Sequence, residues 1–256
     1  MIYRGIFAFG LIENLYTKFK LDQSAYSILL VVFSLACIAI PYLIGSLNFA
    51  IIISKIKYGE DIRNYGSGNG GMTNMLRTYG KKLAVYTLVG DMLKSVVSVT
   101  LGCFLLGIGY GGYLAGFFCM LGHMFPIYYR FRGGKGVAVI AAMILMLNPI
   151  IFLILFVMFA AIVFGTKYVS LGSVVAVGLF PVILNRFDII LMNAGYKFVA
   201  GPDTLFAVLI AISVIFMHRQ NLKRIMNGTE SKISFGKGSH EKKENDPKKN
   251  DGESEK

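Results

Sequence analysis

Residues 61–77 read DIRNYGSGNGGMTNMLR and gather the side chains best suited to holding an oxyanion. Gly66, Gly68, Gly70 and Gly71 expose backbone N–H groups and permit left-handed turns. Ser67, Asn69, Thr73 and Asn74 can each bond an oxyanion, and Arg63 and Arg77 flank them with guanidinium forks that match phosphate oxygens two at a time. The stretch reads as a phosphate cradle between apolar runs; a solvated interhelical loop is the plainer reading. Gly66, Gly68 and Gly71 match GxGxxG, but no βαβ pattern surrounds them, which excludes a dinucleotide site.

Other polar clusters lie at the ends of apolar runs. Gly133-Gly134-Lys135-Gly136 opens one of them, where free N–H groups at a helix start and a lysine make an anion site. It is not a Walker A loop, since Gly136 stands where Ser or Thr would bind magnesium. Ser170 and Ser173 open another run and can cap it or bind an anion, capping being expected of at least one. His218, Asn221 and Arg224 share one face of a continuing helix. Asp91 and Lys94, three apart, read as an intramembrane ion pair facing the bundle, and His123 as a structural hydrogen-bonder. There is no metal-ligand spacing, no Ser-His-Asp order and no HxxxxD box, so neither a metal nor a cofactor is expected. Cations, anion nests and few carboxylates suit phosphate-bearing substrates in a pocket open to lipid. An enzyme built this way must receive an electrophile already activated.

Long apolar runs must carry these clusters. The chain has 256 residues, 55% of them hydrophobic, and no tryptophan. Soluble domains are about 45–50% apolar and lack runs of about twenty apolar residues, so the chain reads as a multi-pass, all-α membrane protein. The net charge of +12 does not point to nucleic acid, because Lys and Arg sit at the ends of apolar runs and in the tail, where membrane topology places them. Cys37, Cys103 and Cys119 each lie within an apolar run, with no zinc or disulfide spacing.

Seven spans are expected, at about 26–54, 83–108, 110–129, 135–147, 149–164, 170–184 and 205–217. The two around Asn148-Pro149 are short half-spans of less than ~30 Å. Lys55, Lys57, Arg63, Arg77, Lys81, Lys82, Arg130, Arg132, Lys135, Arg219, Lys223 and Arg224 crowd one side. The positive-inside rule therefore puts both glycine-rich loops and the C-terminus in the cytoplasm and the N-terminus outside. Residues 1–24 form an extension, interfacial helix or flexible, 25–228 the membrane domain, and 229–256 a charged tail too polar to build a core. Residues 185–203 read as a long loop.

GSLNFA at Gly45, DIRNYGSGNGGMTNMLR at Asp61, GHMFPIYYRFRGGKGVAV at Gly122, SLGS at Ser170 and HRQNLKRIMNGTE at His218 resemble, in order, the motifs of the PlsY family. These are the acyl-phosphate-dependent glycerol-3-phosphate acyltransferases of bacterial membranes. The resemblance covers about residues 26–230. It implies a seven-helix enzyme of the bacterial cytoplasmic membrane with its site at the cytoplasmic face; a monomer is expected, though no residue pattern sets the oligomeric state. The implied reaction moves an acyl group from acyl phosphate to the sn-1 hydroxyl of glycerol 3-phosphate, giving lysophosphatidate and phosphate. By motif, Ser67, Thr73, Asn74 and Arg77 lie around the phosphates, and Lys135 with Gly133, Gly134 and Gly136 holds the acyl phosphate. Ser170, Ser173, His218, Asn221 and Arg224 complete the pocket, with Arg63, Gly66, Gly68 and Asn69 in the cradle. Ser67, Arg77, Lys135, His218 and Asn221 are the catalytic set. The chain departs from the family at Met72, Ser95 and Val139, the last losing a possible hydroxyl beside the GGKG loop.

An acyl phosphate is a mixed anhydride, so direct transfer needs orientation and charge stabilisation and no covalent intermediate. The donor's own phosphate oxygen is expected to accept the hydroxyl proton, with His218 as a positioning residue; the competing role for His218 is general base. An organic-phosphate transporter would instead require inverted repeats and a midplane site, and no repeat is visible.

Overall fold

The computed structural model describes residues 10–194 and 202–233. Every regular element among them is helical: α1 (Gly10–Phe19), α2 (Gln23–Gly45), α3 (Phe49–Tyr58), α4 (Met72–Tyr79), α5 (Lys81–Leu106), α6 (Tyr113–Met124), α7 (Val137–Leu147), α8 (Pro149–Thr166), α9 (Val169–Asn193), α10 (Pro202–Met217) and α11 (Arg219–Met226).

Local chemistry sets the boundaries. Asp22 caps α2 by accepting Ala25 N–H at 2.7 Å, and Asn48 caps α3 by accepting Ile51 N–H at 3.1 Å, each satisfying an amide that has no intrahelical partner. Gly59 ends α3 in the left-handed region at φ 69°, and Pro149 opens α8, where its missing N–H is not needed.

Four stretches are long and apolar enough to cross a membrane: Gln23–Tyr58, Lys81–Tyr129, Pro149–Thr166 and Val169–Ile190. The pair Pro202–Met217 and Arg219–Met226, bent by 54°, makes a fifth if counted as one. The Lys81–Tyr129 stretch folds back on itself. A Cβ on Gly102 or Gly111 would strike the other's carbonyl oxygen, whereas nine residues of straight helix would separate them by about 14 Å. Of the two expected half-spans, α8 with 18 residues is long and apolar enough to cross a membrane, although at about 27 Å it keeps within the expected length, while α7 is a shorter apolar helix. The expected loop at 185–203 is corrected in part, since α9 runs on to Asn193 and α10 begins at Pro202, while residues 195–201 lie outside the described residues.

Polarity is inverted relative to a water-soluble bundle. Ile28, Val31 and Leu35 of α2 are about 60% exposed (64%, 58% and 59%), while Asp91, Lys94, Ser95 and Ser98 of α5 are buried. With lipid tails as the solvent, apolar contact gives helices little reason to associate, so close backbone packing and internal polar contacts must hold them. The α2–α6 crossing shows the first: a Cβ on Gly45 would collide with Cys119 O, and one on Gly122 with Tyr42 O. Ser95 Oγ, donating to Val139 O at 2.7 Å, shows the second.

The main core runs through Val99, Met120, Ile140, Met143, Phe180 and Ile210. A smaller cluster of Ile51, Ile62, Tyr65, Met75 and Leu76 lies beneath the glycine-rich loop and carries it. The N-terminal extension is helical over Gly10–Phe19, with Ile12 buried against the bundle. Of the expected tail, residues 229–233 run back onto the body, Ile233 N donating to Lys167 O at 2.9 Å. A domain end at 228 thus falls short of residues packed on the site. Residues 234–256 and 1–9 lie outside the described residues.

Candidate active site

The glycine-rich loop is built from within. Asp61 opens a single 3-10 turn (Ile62–Asn64) by accepting Arg63 N–H at 3.0 Å. Gly66 and Gly68 take positive φ of 52° and 72°, which lets the chain curl around Asn74. That amide accepts Ser67 N–H at 2.8 Å and donates to Ile62 O at 3.2 Å and Tyr65 O at 3.0 Å. Asn74 lines the cavity, but its amide is engaged in shaping the loop, a correction to its role as a phosphate ligand.

Arg63 is corrected in the same way. Its guanidinium forks onto Asp61 at 2.9 and 2.7 Å and holds Tyr129 O at 2.9 Å and Arg132 O at 2.7 Å, so it fastens two loops together behind the cavity. Burial alone would raise the Asp61 carboxyl; the Arg63 bonds outweigh it and hold it below the ordinary range.

Gly133 and Gly134 are not a free anion nest. Their N–H groups donate to Met124 O and His123 O, both at 3.1 Å. A Cβ on either would strike the end of α6, at His123 O and His123 Nε2 respectively. Gly136 takes φ 79° and begins α7. These glycines allow the loop to lie against α6 so that Lys135 can project past it.

The side chains that meet are Ser67, Asn69, Thr73, Asn74, Arg77, Lys135, Ser170, Ser173, His218 and Asn221, which line one cavity of about 350 Å³. Gly66, Gly68, Gly133, Gly134, Gly136, Arg63 and Arg224 stand behind the lining. Neither Ser170 nor Ser173 caps α9, because that helix begins at Val169. Ser170 Oγ donates to Glu230 at 2.9 Å and Ser173 Oγ to Val169 O at 2.8 Å. Val139 is fully buried away from the lining, so its departure from the family threonine does not touch the cavity.

Glu230 is the residue that motif reasoning missed. Its Oε1 accepts from Ser170 and from Asn221 Nδ2 (2.6 Å), and its Oε2 from Arg224 Nε at 2.8 Å. Burial would raise this carboxyl, but the bonds from Arg224, Asn221 and Ser170 win and lower it. Its signal in the sequence is one carboxylate closing a basic segment straight after the last apolar run.

Lys135 Nζ donates to Asn221 Oδ1. Arg77 Nη2 reaches Ser231 O at 3.0 Å, while its buried Nε has no partner. With Glu230 balanced by Arg224, and the lining carboxylate Asp91 by Lys94 at 2.9 Å, Arg77 and Lys135 are left, among the described residues, as uncompensated cations at the polar head. His218, at the bend between α10 and α11, directs Nδ1 to Val214 O at 2.8 Å. A carbonyl only accepts, so Nδ1 is the donor and Nε2 is left for a ligand.

Below the polar head the cavity turns apolar. Ile140, Ala141 and Ile144 of α7 face Phe152, Leu155, Phe156 and Phe159 of α8, with Ala176 and Val177 of α9 closing the groove. A double cation over an apolar slot describes a membrane protein that handles a phosphate joined, or about to be joined, to a hydrocarbon chain.

The comparisons with known proteins agree. The glycerol-3-phosphate acyltransferase family model matches residues 35–228. A glycerol-3-phosphate acyltransferase of Clostridioides difficile (strain 630) is 43% identical over 208 residues, 79% of this chain and 97% of the relative. One from Thermoanaerobacter sp. (strain X514) is 41% identical over 194 residues, covering 76% of this chain and 92% of its own. The crystal structure of PlsY (YgiH), an integral membrane glycerol 3-phosphate acyltransferase, matches in its glycerol 3-phosphate form with a TM-score of 0.69 and 33% identity, over 78% of this chain and 96% of that one. Its lysophosphatidic acid form matches with a TM-score of 0.67 and 30% identity, over 79% and 96%. The chain belongs to the glycerol-3-phosphate acyltransferase family, in its PlsY branch.

Proposed function

We propose that this protein transfers an acyl group from acyl phosphate to the sn-1 hydroxyl of glycerol 3-phosphate. The observation that carries the reading is the pair of uncompensated cations, Arg77 and Lys135, at the head of an apolar groove. Lys135, projected by the glycine turn, holds the donor phosphate, with its acyl chain in the groove between α7, α8 and α9. Arg77, Ser67, Thr73 and Asn69 bind phosphate oxygens from the other side, and Asn221, Ser170 and Ser173 complete the acceptor pocket.

The sn-1 oxygen attacks the acyl carbon, the bond from that carbon to the phosphate oxygen breaks, and the hydroxyl proton passes to the departing phosphate. Lysophosphatidate and phosphate are the products, and no acyl-enzyme forms. His218 Nε2 accepts a hydrogen bond from the neighbouring sn-2 hydroxyl and so orients the acceptor, leaving the sn-1 proton to face the donor phosphate. Phosphate is a good leaving group, so positioned donors and proximity suffice.

The crossings are α2, α5, α6, α7, α8, α9 and α10, in a bacterial cytoplasmic membrane. The cation-rich loops that frame the cavity face the cytoplasm. A monomer is functional, since one chain supplies the whole lining.

Purified protein given glycerol 3-phosphate with palmitoyl phosphate, then with palmitoyl-CoA, tests the donor. Phosphate and lysophosphatidate in equal amounts from acyl phosphate alone, lost in Lys135→Ala, is the expected result. Turnover of acyl-CoA instead would keep the acyltransferase and reject the donor.

A further inference from the structure

The Asp91–Lys94 pair is joined by a third group that the proposed reaction does not use. Lys94 Nζ lies 2.9 Å from Asp91 Oδ1, 2.8 Å from His123 Nδ1, 2.9 Å from Gly45 O and 2.8 Å from Leu47 O. The three side chains are at most 4% exposed. An ammonium only donates, so His123 Nδ1 is an acceptor and the ring hydrogen sits on Nε2. A buried ion pair adds little net stability over apolar groups of the same volume. What this one does is fix the plane of an imidazole.

That imidazole supports the loop that carries Lys135. Its Nε2 edge lies against Gly134, where a Cβ would strike it and would come within 2.7 Å of Gly70 O. The His123 carbonyl also takes the Gly134 N–H at 3.1 Å. The next residue along is Lys135, reaching Asn221.

We infer that Asp91, Lys94 and His123 are positioning residues for acyl transfer: Lys94 locks the imidazole, the imidazole seats Gly134, and this sets where the Lys135 ammonium meets the donor phosphate. The inference rests on the role proposed above for Lys135.

His123→Phe keeps a ring beneath Gly134 but removes the Nδ1 acceptor. Lys94 then retains its hydrogen bonds to Gly45 O and Leu47 O and its ion pair with Asp91, so the fold should hold. His123→Asn restores an acceptor near the Nδ1 position. Asp91→Asn leaves the ring in place and removes the counter-charge. In steady-state assays His123→Phe and Asp91→Asn are expected to raise the acyl-phosphate KM about tenfold and leave the glycerol-3-phosphate KM within about twofold. His123→Asn should recover most of the loss.

Equal changes in both KM values, or wild-type kinetics in both His123→Phe and Asp91→Asn, would overturn the inference. So would loss of the folded peak on gel filtration in all three variants, which would make the network purely structural. If the wild-type protein used acyl-CoA and not acyl phosphate, the donor assignment alone would fail, and the same split would be read on the acyl-CoA KM.

Discussion

Burial draws the Lys135 ammonium down to about 8, with Arg224 and Arg77 pushing the same way and Glu230 opposing. The group is therefore a cation below about pH 8 and loses its charge above it. If that charge holds the donor, kcat/KM for acyl phosphate falls about tenfold per pH unit on the alkaline side. A bound phosphate favours the ammonium, so the limb in kcat lies higher than the limb in kcat/KM. Lys135→Arg should remove the limb, because a guanidinium stays protonated there. Glu230 titrates in the opposite sense. Its carboxyl is lowered from an ordinary 4.5, so its contribution is complete above that pH and is lost as pH falls through the folded value. Glu230→Gln should lower the thermal midpoint at neutral pH and narrow the gap to wild type under strong acid, by about 1–3 kcal/mol for a charged hydrogen bond. At this scale the residue types were legible in the sequence but their division of labour was not. Arg63 and Asn74 look like phosphate ligands until Asp61 and the loop carbonyls are seen to engage them. Glu230 becomes a site residue only once the chain after α11 turns back.

Helix ends place the site, and close crossings hold the helix ends. The α2–α6 contact has no room for a side chain at Gly122, where a Cβ would meet Tyr42 O. Gly122→Leu should separate these helices and displace Lys94 from Gly45 O and Leu47 O. The expected outcome is loss of the monodisperse folded peak in detergent, since overpacking of this kind costs about 1–3 kcal/mol or more. The length of the apolar runs made the helices legible in the sequence. The reversal at Gly107–Gly112 was visible as a break, and so was the one at Asn148-Pro149. The continuation of α9 to Asn193 was not, because Asn185, Arg186 and Asp188 interrupt the apolar run and polar residues do not by themselves end a helix. The bend of 54° at His218 was equally hidden, although it directs His218 and Asn221 into one cavity.

The whole molecule is a bundle with lipid-facing apolar sides and a charged head, and its orientation can be tested directly. Cys37, Cys103 and Cys119 are all buried, so the native background for a membrane-impermeant maleimide is low. A single cysteine at exposed Arg130 should label only from the cytoplasmic side and one at exposed Gly109 only from the other; the reverse pattern would invert the assignment. The central claim is direct transfer from acyl phosphate, and a rapid-quench single turnover tests it most directly. Phosphate and lysophosphatidate should appear with one rate constant, and no phosphate should be released when glycerol 3-phosphate is withheld. A burst of phosphate equal to the enzyme concentration, before any lysophosphatidate forms or without acceptor, would contradict the account and place an acyl group on the protein.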